Sequence, residues 1–356
     1  MADDDRRTEF VLPYSSACPA AVDQSNCIQL AHGEGGRLMR QLLKERIAPT
    51  LQAAINEDAA RISAMKGDWA VTTDSFVVSP LFFPGGNIGS LAVYGTVNDL
   101  SVAGADPIAI TLSLIIEEGL SFQLLDEVLS SVARTANECG VRVVAGDTKV
   151  VPRGAVDKLF ITTTGVGQYR PASHLQCQQI QSGDLLLISG PIGQHGMAVL
   201  AAREKLHMTP EPISDCGNLR IVCATLHNQL GEDLRAMRDA TRGGVSAVLQ
   251  EWSEASGTTM QLYENQLPVT AETRGMCELL GLDPLYVANE GTFVAAVAPS
   301  VFEKALEVMR EFSISSRACA IGKVIDKISS PVVIERMLGT LHPIDDPAGA
   351  PLPRIC

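Results

Sequence analysis

Short apolar runs alternate with helical patterns along most of this chain, and this alternation limits the possible folds more than any other feature. Apolar runs of strand length lie at 69–78, 108–116, 141–145, 159–166, 185–189, 293–298, 318–325 and 332–336. Helical periodicity occurs between them, at 91–103, 124–139, 196–206, 245–255 and 301–312. This alternation predicts sheets covered by helices, so the fold class is α/β (α+β).

Length and a polar stretch divide the chain. Its 356 residues exceed the usual length of one domain. The polar stretch 169–183 is the predicted boundary between two mixed α/β domains. We predict four regions: a poorly ordered N-terminal extension at 1–26, an N-terminal domain at 27–170, a C-terminal domain at 171–338 and a flexible tail at 339–356.

Charge and cysteine content restrict the partners. With 41 acidic and 28 basic residues, the net charge of −13 argues against nucleic acid or an anionic membrane as the main partner. The nine cysteines are odd in number and form no CxxC pair, which predicts neither a zinc site nor a disulfide framework. No signal segment or apolar run of membrane-spanning length occurs, so a cytoplasmic protein is expected.

A glycine-rich segment precedes the helical pattern at 37–47. Residues 31–36 read AHGEGG, and glycines at the start of a helix let backbone amides approach an anion. The same glycines also suit a tight turn with positive φ angles. From these residues alone, an anion site and a tight turn are equally supported.

Four aspartates follow apolar runs: Asp74, Asp99, Asp147 and Asp239. Ligand sites of α/β proteins assemble at strand ends, where separate carboxylates can converge on Mg²⁺ and nucleotide phosphates. Each aspartate alone also fits a helix cap or a turn. Spacing by itself leaves both interpretations open.

Three further residues are candidates for chemistry. Lys149 follows an Asp-Thr turn and could contact phosphate or stabilise developing charge, and Glu290 could act as a base; both also fit ordinary solvated charges. Cys356 ends a proline-rich segment that buries almost nothing, so it is either a reactive thiol on a flexible arm or an accidental last residue.

Together the motifs resemble one family. They are LAHGEGG at 30–36, TDSFVV at 73–78, LFFPGG at 81–86, GTVND at 95–99, GDTKVV at 146–151, DATRGG at 239–244, ANEG at 288–291 and PRIC at 353–356. Their order and the terminal cysteine resemble the HypE family of hydrogenase maturation factors, the carbamoyl dehydratases of nickel–iron hydrogenase assembly. Two departures are Glu34, where the family has Ser, and the segment 337–344, which matches loosely.

The resemblance implies a fold, two ligands and a set of site residues. The two domains would be of the type shared with aminoimidazole ribonucleotide synthetase and selenophosphate synthetase, and strands of the N-terminal domain would form a homodimer. ATP and Mg²⁺ would be the cofactors, with Asp74, Asp99, Asp147 and Asp239 as metal ligands. The implied nucleotide contacts are His32, Gly33, Gly35, Gly36, Asn98, Thr148, Thr241 and Arg242.

The resemblance also implies a reaction and its partners. A HypF-like carbamoyltransferase would load Cys356, and ATP-dependent dehydration would turn the thiocarboxamide into a thiocyanate, with Glu290 and Lys149 assisting. An iron-carrying HypC–HypD-like scaffold would accept the cyanide. The alternatives are another ATP-dependent enzyme of the superfamily, such as selenophosphate synthetase, and a non-catalytic thiol carrier.

Overall fold

The computed structural model describes residues 26–33, 37–52, 67–170 and 175–346. The expectations for the extension before Asn26, for Gly35 and Gly36, and for Cys356 lie outside these residues.

The N-terminal half forms a four-stranded sheet with helices on one of its faces and a separate two-stranded sheet at 82–87. Its elements are α1 (Arg37–Leu42), continued by a π-helical turn (Leu43–Ile47) and α2 (Ala48–Leu51), then β1 (Trp69–Phe76), β2 (Phe82–Phe83), β3 (Gly86–Asn87), α3 (Ile88–Val102), β4 (Ala105–Glu117), α4 (Phe122–Cys139), β5 (Arg142–Val151) and β6 (Leu159–Tyr169). The sheet order is β1-β6-β4-β5, with β4 and β5 parallel and the other pairs antiparallel.

The C-terminal half forms a seven-stranded sheet, β13-β12-β9-β11-β7-β10-β8, in which only the β9–β12 pair is parallel. Its elements are β7 (Leu185–Ile188), α5 (Gln194–Glu204), α6 (Arg220–Leu230), β8 (Leu234–Asp239), α7 (Gly244–Ser256), β9 (Thr259–Tyr263), α8 (Ala271–Leu280), β10 (Phe293–Val297), α9 (Phe302–Arg310), β11 (Cys319–Ile325), β12 (Val332–Glu335) and β13 (Leu341–Pro343). Short 3₁₀ turns lie at Leu30–Gly33, Cys177–Gln179, Gly231–Asp233, Glu264–Gln266, Pro284–Tyr286, Pro299–Val301 and Ser313–Ser315.

Helix α3 is the central element between the two halves. Asn87 caps it, because its side-chain oxygen accepts the amides of Gly89 and Ser90 while the Ser90 hydroxyl bonds back to the Asn87 backbone. All residues of α3 except Tyr94 and Asp99 are buried. A helix that is buried all round belongs to the interior of a protein, so the partly exposed Asp99 marks where α3 meets an open site.

The predicted tail boundary at 339 is too early. Strand β13 pairs antiparallel with β12, and Ile344 after it is 8% exposed and belongs to the C-terminal core. The apolar side chain of Ile344 gains burial in this position, which extends the folded domain at least to this residue.

The polar stretch predicted as a domain boundary lies between the two sheets, since β6 ends at Tyr169 and β7 begins at Leu185. Cys139, Cys223 and Cys277 are buried among apolar side chains, as expected for small core residues. In the described part of the chain, no helix is long and apolar enough to span a membrane.

Candidate active site

Three of the predicted acidic residues lie close together where the two halves meet. Asp74 is on β1, Asp99 on α3, and Asp239 is the last residue of β8. The Thr72 hydroxyl donates to Asp99 Oδ2 at 2.8 Å, and Arg242 Nη2 lies 3.8 Å from Asp74 Oδ1. Asp239 ends its strand, whereas Asp74 lies inside β1, as it does in the strand predicted at 69–78.

The packing of α3 against the sheet brings these carboxylates together. Alternate residues of β1 face α3, including Thr72 and Asp74. A Cβ atom at Gly165 on β6 would lie 2.5 Å from Thr96 Cγ2, so the helix approaches the sheet as closely as it does because position 165 has no side chain. Glycine at position 165 therefore allows α3 to hold Asp99 beside Thr72.

The carboxylates perturb one another. Burial and then the Asp99 charge raise the pKa of Asp239 to about 7. Burial also raises the pKa of Asp99; the Thr72 hydroxyl opposes this rise and Asp74 adds to it. Acidic groups that repel one another in a partly buried site are stabilised by a bound cation or by protonation.

Glu290 joins this cluster from the C-terminal half. It is 4% exposed, and its Oε2 lies 3.8 Å from the position that a Cβ would take at Gly95 of α3. Burial, then the charges of Asp239 and Asp215, raise the pKa of Glu290 well above its ordinary value. A carboxyl group in this environment binds a proton more strongly than one in water, which suits a general base or acid.

Asn98, a predicted nucleotide contact, has its side-chain amide engaged by backbone groups. Its Nδ2 donates to Gly217 O at 2.9 Å and to Glu290 O at 3.3 Å, and its Oδ1 accepts the Leu219 amide at 2.9 Å. The residue is 1% exposed. Asn98 therefore links α3 to the Glu290 segment, and its contact with nucleotide stays a prediction.

Asp147 and Lys149 lie on the other face of the N-terminal sheet. They pair with Ser113 and Ile115 of β4, and Thr148 between them is 4% exposed. The β4–β5 register shifts between Ile110 and Thr111, which is a bulge that reverses the alternation of β5. Asp147 and Lys149 therefore point away from α3 within one chain.

The segment around Lys149 is a strand and not the expected Asp-Thr turn. Lys149 Nζ lies 3.6 Å from Asp147 Oδ2, and both side chains are more than half exposed. The amide of Thr148 donates to Asp147 Oδ1 at 2.8 Å. This pair does not meet the Asp74–Asp99–Asp239 cluster in the isolated chain.

Thr241 and Arg242 follow Asp239 and lead into α7. Gly243 and Gly244 both have positive φ angles, and a Cβ at Gly244 would lie 2.5 Å from the Leu285 carbonyl oxygen. This tight turn needs glycine and starts a helix of 13 residues beside the acidic cluster. The Arg242 side chain is 80% exposed, so solvent and an anionic ligand can approach it beside its loose ion pair with Asp74.

The glycine-rich segment is only partly described. His32 is 7% exposed, and its ring meets the Phe122 ring edge-on with centroids 5.5 Å apart. Gly33 ends the first 3₁₀ turn. His32 is thus packed into the N-terminal domain, and its contact with nucleotide stays a prediction.

Sequence reasoning missed two residues of this site. Asp215, in the loop before α6, accepts the amides of Glu290 and Gly291, and Thr72 supports Asp99. Thr72 stands in the same motif as Asp74 but was given no role, and Asp215 stands in no motif that indicates catalysis; contacts between distant segments bring both into the site.

The described residues include no group of three or more His, Cys, Asp or Glu side chains arranged to hold a metal ion by themselves. Carboxylate oxygens are nevertheless the ligands that Mg²⁺ prefers, and Mg²⁺ is commonly held by one or two carboxylates together with water and substrate phosphates. The chemistry of Asp74, Asp99 and Asp239 fits that mode of binding.

Two domain families and several known proteins match this chain. Residues 56–169 match the AIR synthase related protein N-terminal domain, and residues 181–334 match the corresponding C-terminal domain. Carbamoyl dehydratase HypE of Escherichia coli (strain K12) is 44% identical over 339 residues, which cover 93% of this chain and 100% of that protein.

Two solved structures are similar over nearly the whole chain. The crystal structure of a hydrogenase maturation protein HypE in complex with ATP has a TM-score of 0.88 at 39% identity and covers 92% of this chain and 99% of its own. A crystal structure of a HypE–HypF complex has a TM-score of 0.76 at 41% identity and covers 88% of this chain and 100% of its own. The expected fold of two such domains is confirmed, and the chain belongs to the HypE family of carbamoyl dehydratases.

Proposed function

We propose that this protein is an ATP-dependent carbamoyl dehydratase whose substrate is a carbamoyl group on its own Cys356, and that it supplies cyanide for the iron of nickel–iron hydrogenases. The observation that carries this proposal is the buried Glu290 carboxyl group beside the Asp74–Asp99–Asp239 cluster. It places a proton acceptor next to groups suited to nucleotide phosphates. The carbamoyl dehydratase and ATP-bound relatives support the same assignment.

The reaction converts S–C(=O)–NH₂ and ATP into S–C≡N, ADP and phosphate. The amide oxygen attacks the γ-phosphorus, and the bond to the leaving ADP oxygen breaks. The nitrogen gives up one proton to Glu290, and its second proton passes to the departing phosphate as the C–O bond breaks. The oxygen leaves on phosphate, so no free water is released.

Glu290 accepts a proton from the nitrogen in this scheme. Its carboxyl group is shielded from solvent, because the residue is 4% exposed and Gly95 of α3 lies beside it. A carboxylate with a raised pKa is a stronger base than one in water.

Nucleotide would lie between the acidic cluster and the start of α7. Thr241 and Arg242 would contact the phosphates, and the rest of the proposed set is His32, Gly33, Gly35, Gly36, Asn98 and Thr148. Asp74, Asp99 and Asp239 would hold Mg²⁺, which when bound neutralises charge on phosphate oxygens.

The open face of the N-terminal sheet supports a homodimer. Trp69 and Val71 on this face of β1 are 39% and 68% exposed. Large exposed apolar side chains on a sheet indicate an interaction surface. A second copy packed on this face would meet Asp147 and Lys149, and we propose that these two residues act in the partner's active site, with Asp147 as a further metal ligand.

Mixed dimers test this arrangement. Chains carrying Lys149→Ala and chains carrying Glu290→Gln should each be inactive alone. In a heterodimer, one of the two sites then combines an intact Lys149 with an intact Glu290, so about half of the wild-type rate should return. The rate would be measured on tandem-tagged, purified heterodimers, and a heterodimer as inactive as both parents would place Lys149 and Glu290 in the same chain's site.

Cys356 can reach this site from the folded domain. The last described backbone groups are held by the Tyr286 hydroxyl, which donates to Asp345 O at 3.0 Å, and by Gln250, which donates to Ile344 O at 2.9 Å. The residues 347–356 beyond them span at most about 35 Å when extended. Tyr286 is close in sequence to Glu290, so the anchor stands near the catalytic segment.

Two partners complete the pathway. A HypF-like carbamoyltransferase would load Cys356, which is supported by the HypE–HypF complex among the similar structures. A HypC–HypD-like scaffold that carries iron would then accept the cyanide.

Intact-mass measurement tests the function. The purified chain is incubated with the carbamoyltransferase and carbamoyl phosphate, with and without ATP in the second step. We expect the mass of a carbamoyl group to be added first and the mass of water to be lost only with ATP. A stable carbamoyl group that persists with ATP would support a thiol carrier, and ATP consumption with selenide without any change of mass would support a selenophosphate synthetase.

A further inference from the structure

The loop before α6 places a carboxylate directly on the Glu290 segment. Asp215 Oδ1 accepts the Glu290 amide at 3.1 Å, and Oδ2 accepts the Gly291 amide at 3.0 Å. The Thr292 hydroxyl lowers the pKa of this carboxylate and also donates to the Pro191 carbonyl oxygen at 3.5 Å. These partners of Asp215 belong to consecutive residues of one short segment that is neither helix nor strand up to Thr292.

The opposite side of the same segment is held by α3. Asn98 Nδ2 donates to the Glu290 carbonyl oxygen at 3.3 Å, so side chains bind both the amide and the carbonyl group of Glu290. The close approach of the Asp215 loop to this segment needs glycine after Glu290, since a Cβ at Gly291 would lie 1.7 Å from the Asp215 carbonyl oxygen. The backbone of the proposed base is therefore fixed by two side chains from distant segments.

The burial and hydrogen bonding of the Asp215 carboxylate indicate its role. Asp215 is partly exposed, but its carboxylate accepts hydrogen bonds from the protein interior, and burial raises its pKa. The largest influences that oppose this rise are hydrogen bonds and not a basic side chain. A desolvated carboxylate without a cationic partner is costly, and a neutral side chain would fill the same space at lower cost. A carboxylate is, however, an acceptor at both oxygens, and two adjacent amides with a hydroxyl require such a group.

We propose that Asp215 is a positioning residue that fixes the Glu290 backbone, and through it the carboxyl group, for proton transfer from the carbamoyl nitrogen. This inference rests on the proposed function of Glu290. It assigns a role in the reaction to the loop before α6, which has no motif of its own. Misplacing a reacting group by about 1 Å costs on the order of 100-fold in rate.

A double-mutant cycle with Glu290 tests the proposal. In Asp215→Asn, one oxygen still accepts an amide, but the new NH₂ group faces the second amide and that hydrogen bond is lost. We expect single-turnover dehydration of the carbamoylated tail to slow by about 10- to 100-fold, with little change in ATP affinity. In a Glu290→Gln background, Asp215→Asn should cause almost no further loss, because a residue that acts only through Glu290 has nothing left to position.

Asp184→Asn is the matched control. Asp184 is a buried carboxylate of the same domain that accepts the Gln181 amide at 2.8 Å and lies 3.6 Å from Arg235 Nε. Its loss should lower the melting temperature and leave the dehydration rate per folded chain unchanged. This separates general destabilisation from an effect on Glu290.

Two outcomes would overturn the proposal: an unchanged rate in Asp215→Asn, or an equal loss in the wild-type and Glu290→Gln backgrounds. If Asp215→Asn does not fold, Thr292→Val removes only the hydroxyl donor and should slow dehydration by about fivefold; an unchanged rate in that variant overturns the proposal equally. The proposed function itself fails separately, if the wild-type chain loses no water with ATP.

Discussion

A Cys356→Ala chain is expected to bind ATP as the wild type does, yet to gain neither a carbamoyl nor a cyano group. The thiol is the proposed attachment atom, and the alanine side chain offers no nucleophile in its place. Intact mass after incubation with the carbamoyltransferase, carbamoyl phosphate and ATP measures the result. The expected effect is complete loss of product, the largest of any single change in this protein.

Cys177→Ala is a suitable control for this prediction. Cys177 is a partly exposed thiol in the 3₁₀ turn Cys177–Gln179 of the C-terminal half. Its removal should leave loading and dehydration at wild-type levels. A Cys356→Ala chain that still acquires a carbamoyl group and then loses water would show that another residue carries the substrate.

Glu290→Gln should stop the reaction one step later, so that carbamoylated Cys356 accumulates in the presence of ATP. Glutamine keeps the size of the side chain within its buried pocket but cannot accept the nitrogen proton. General bases contribute about 10²- to 10⁴-fold to rate, and a loss in this range is expected. ATP binding should persist, because the change removes a negative charge near the phosphates.

Time-resolved intact mass of the preloaded chain measures this loss. Glu264→Gln is the control, since Glu264 is a partly exposed carboxylate of the same half that pairs with Arg336 on the surface. That variant should convert its tail at the wild-type rate. Full-rate conversion by Glu290→Gln would refute the assignment of Glu290 as base.

The sequence predicted the elements that depend on local patterns. The helix expected at 124–139 is α4, because its apolar face repeats with helical spacing and Ser121 caps its first turn. Strand β6 likewise covers the run expected at 159–166. The order of the motifs also identified the family, which the comparisons confirm.

The sequence was less informative about structure that depends on contacts between residues far apart in the chain. It placed the start of the tail at 339, although β13 and Ile344 belong to the C-terminal sheet and core. Strand β13 forms because it can pair with β12 beside the C-terminal core. Three residues are too few to show the alternation of apolar and polar side chains that predicts a strand.

By itself, then, the sequence determined the family, the two α/β halves, and which carboxylates and thiol are available for chemistry. Only the tertiary structure decided which of them meet: Asp74, Asp99, Asp239 and Glu290 gather beside α3, whereas Asp147 and Lys149 face the other way. The physical reason is that strand side chains alternate with a period of two, so the bulge between β4 and β5 moves every later residue of β5 to the opposite face. The role of Asp215 has the same origin, because its partners at Glu290 and Gly291 are distant in sequence and adjacent only in the folded chain.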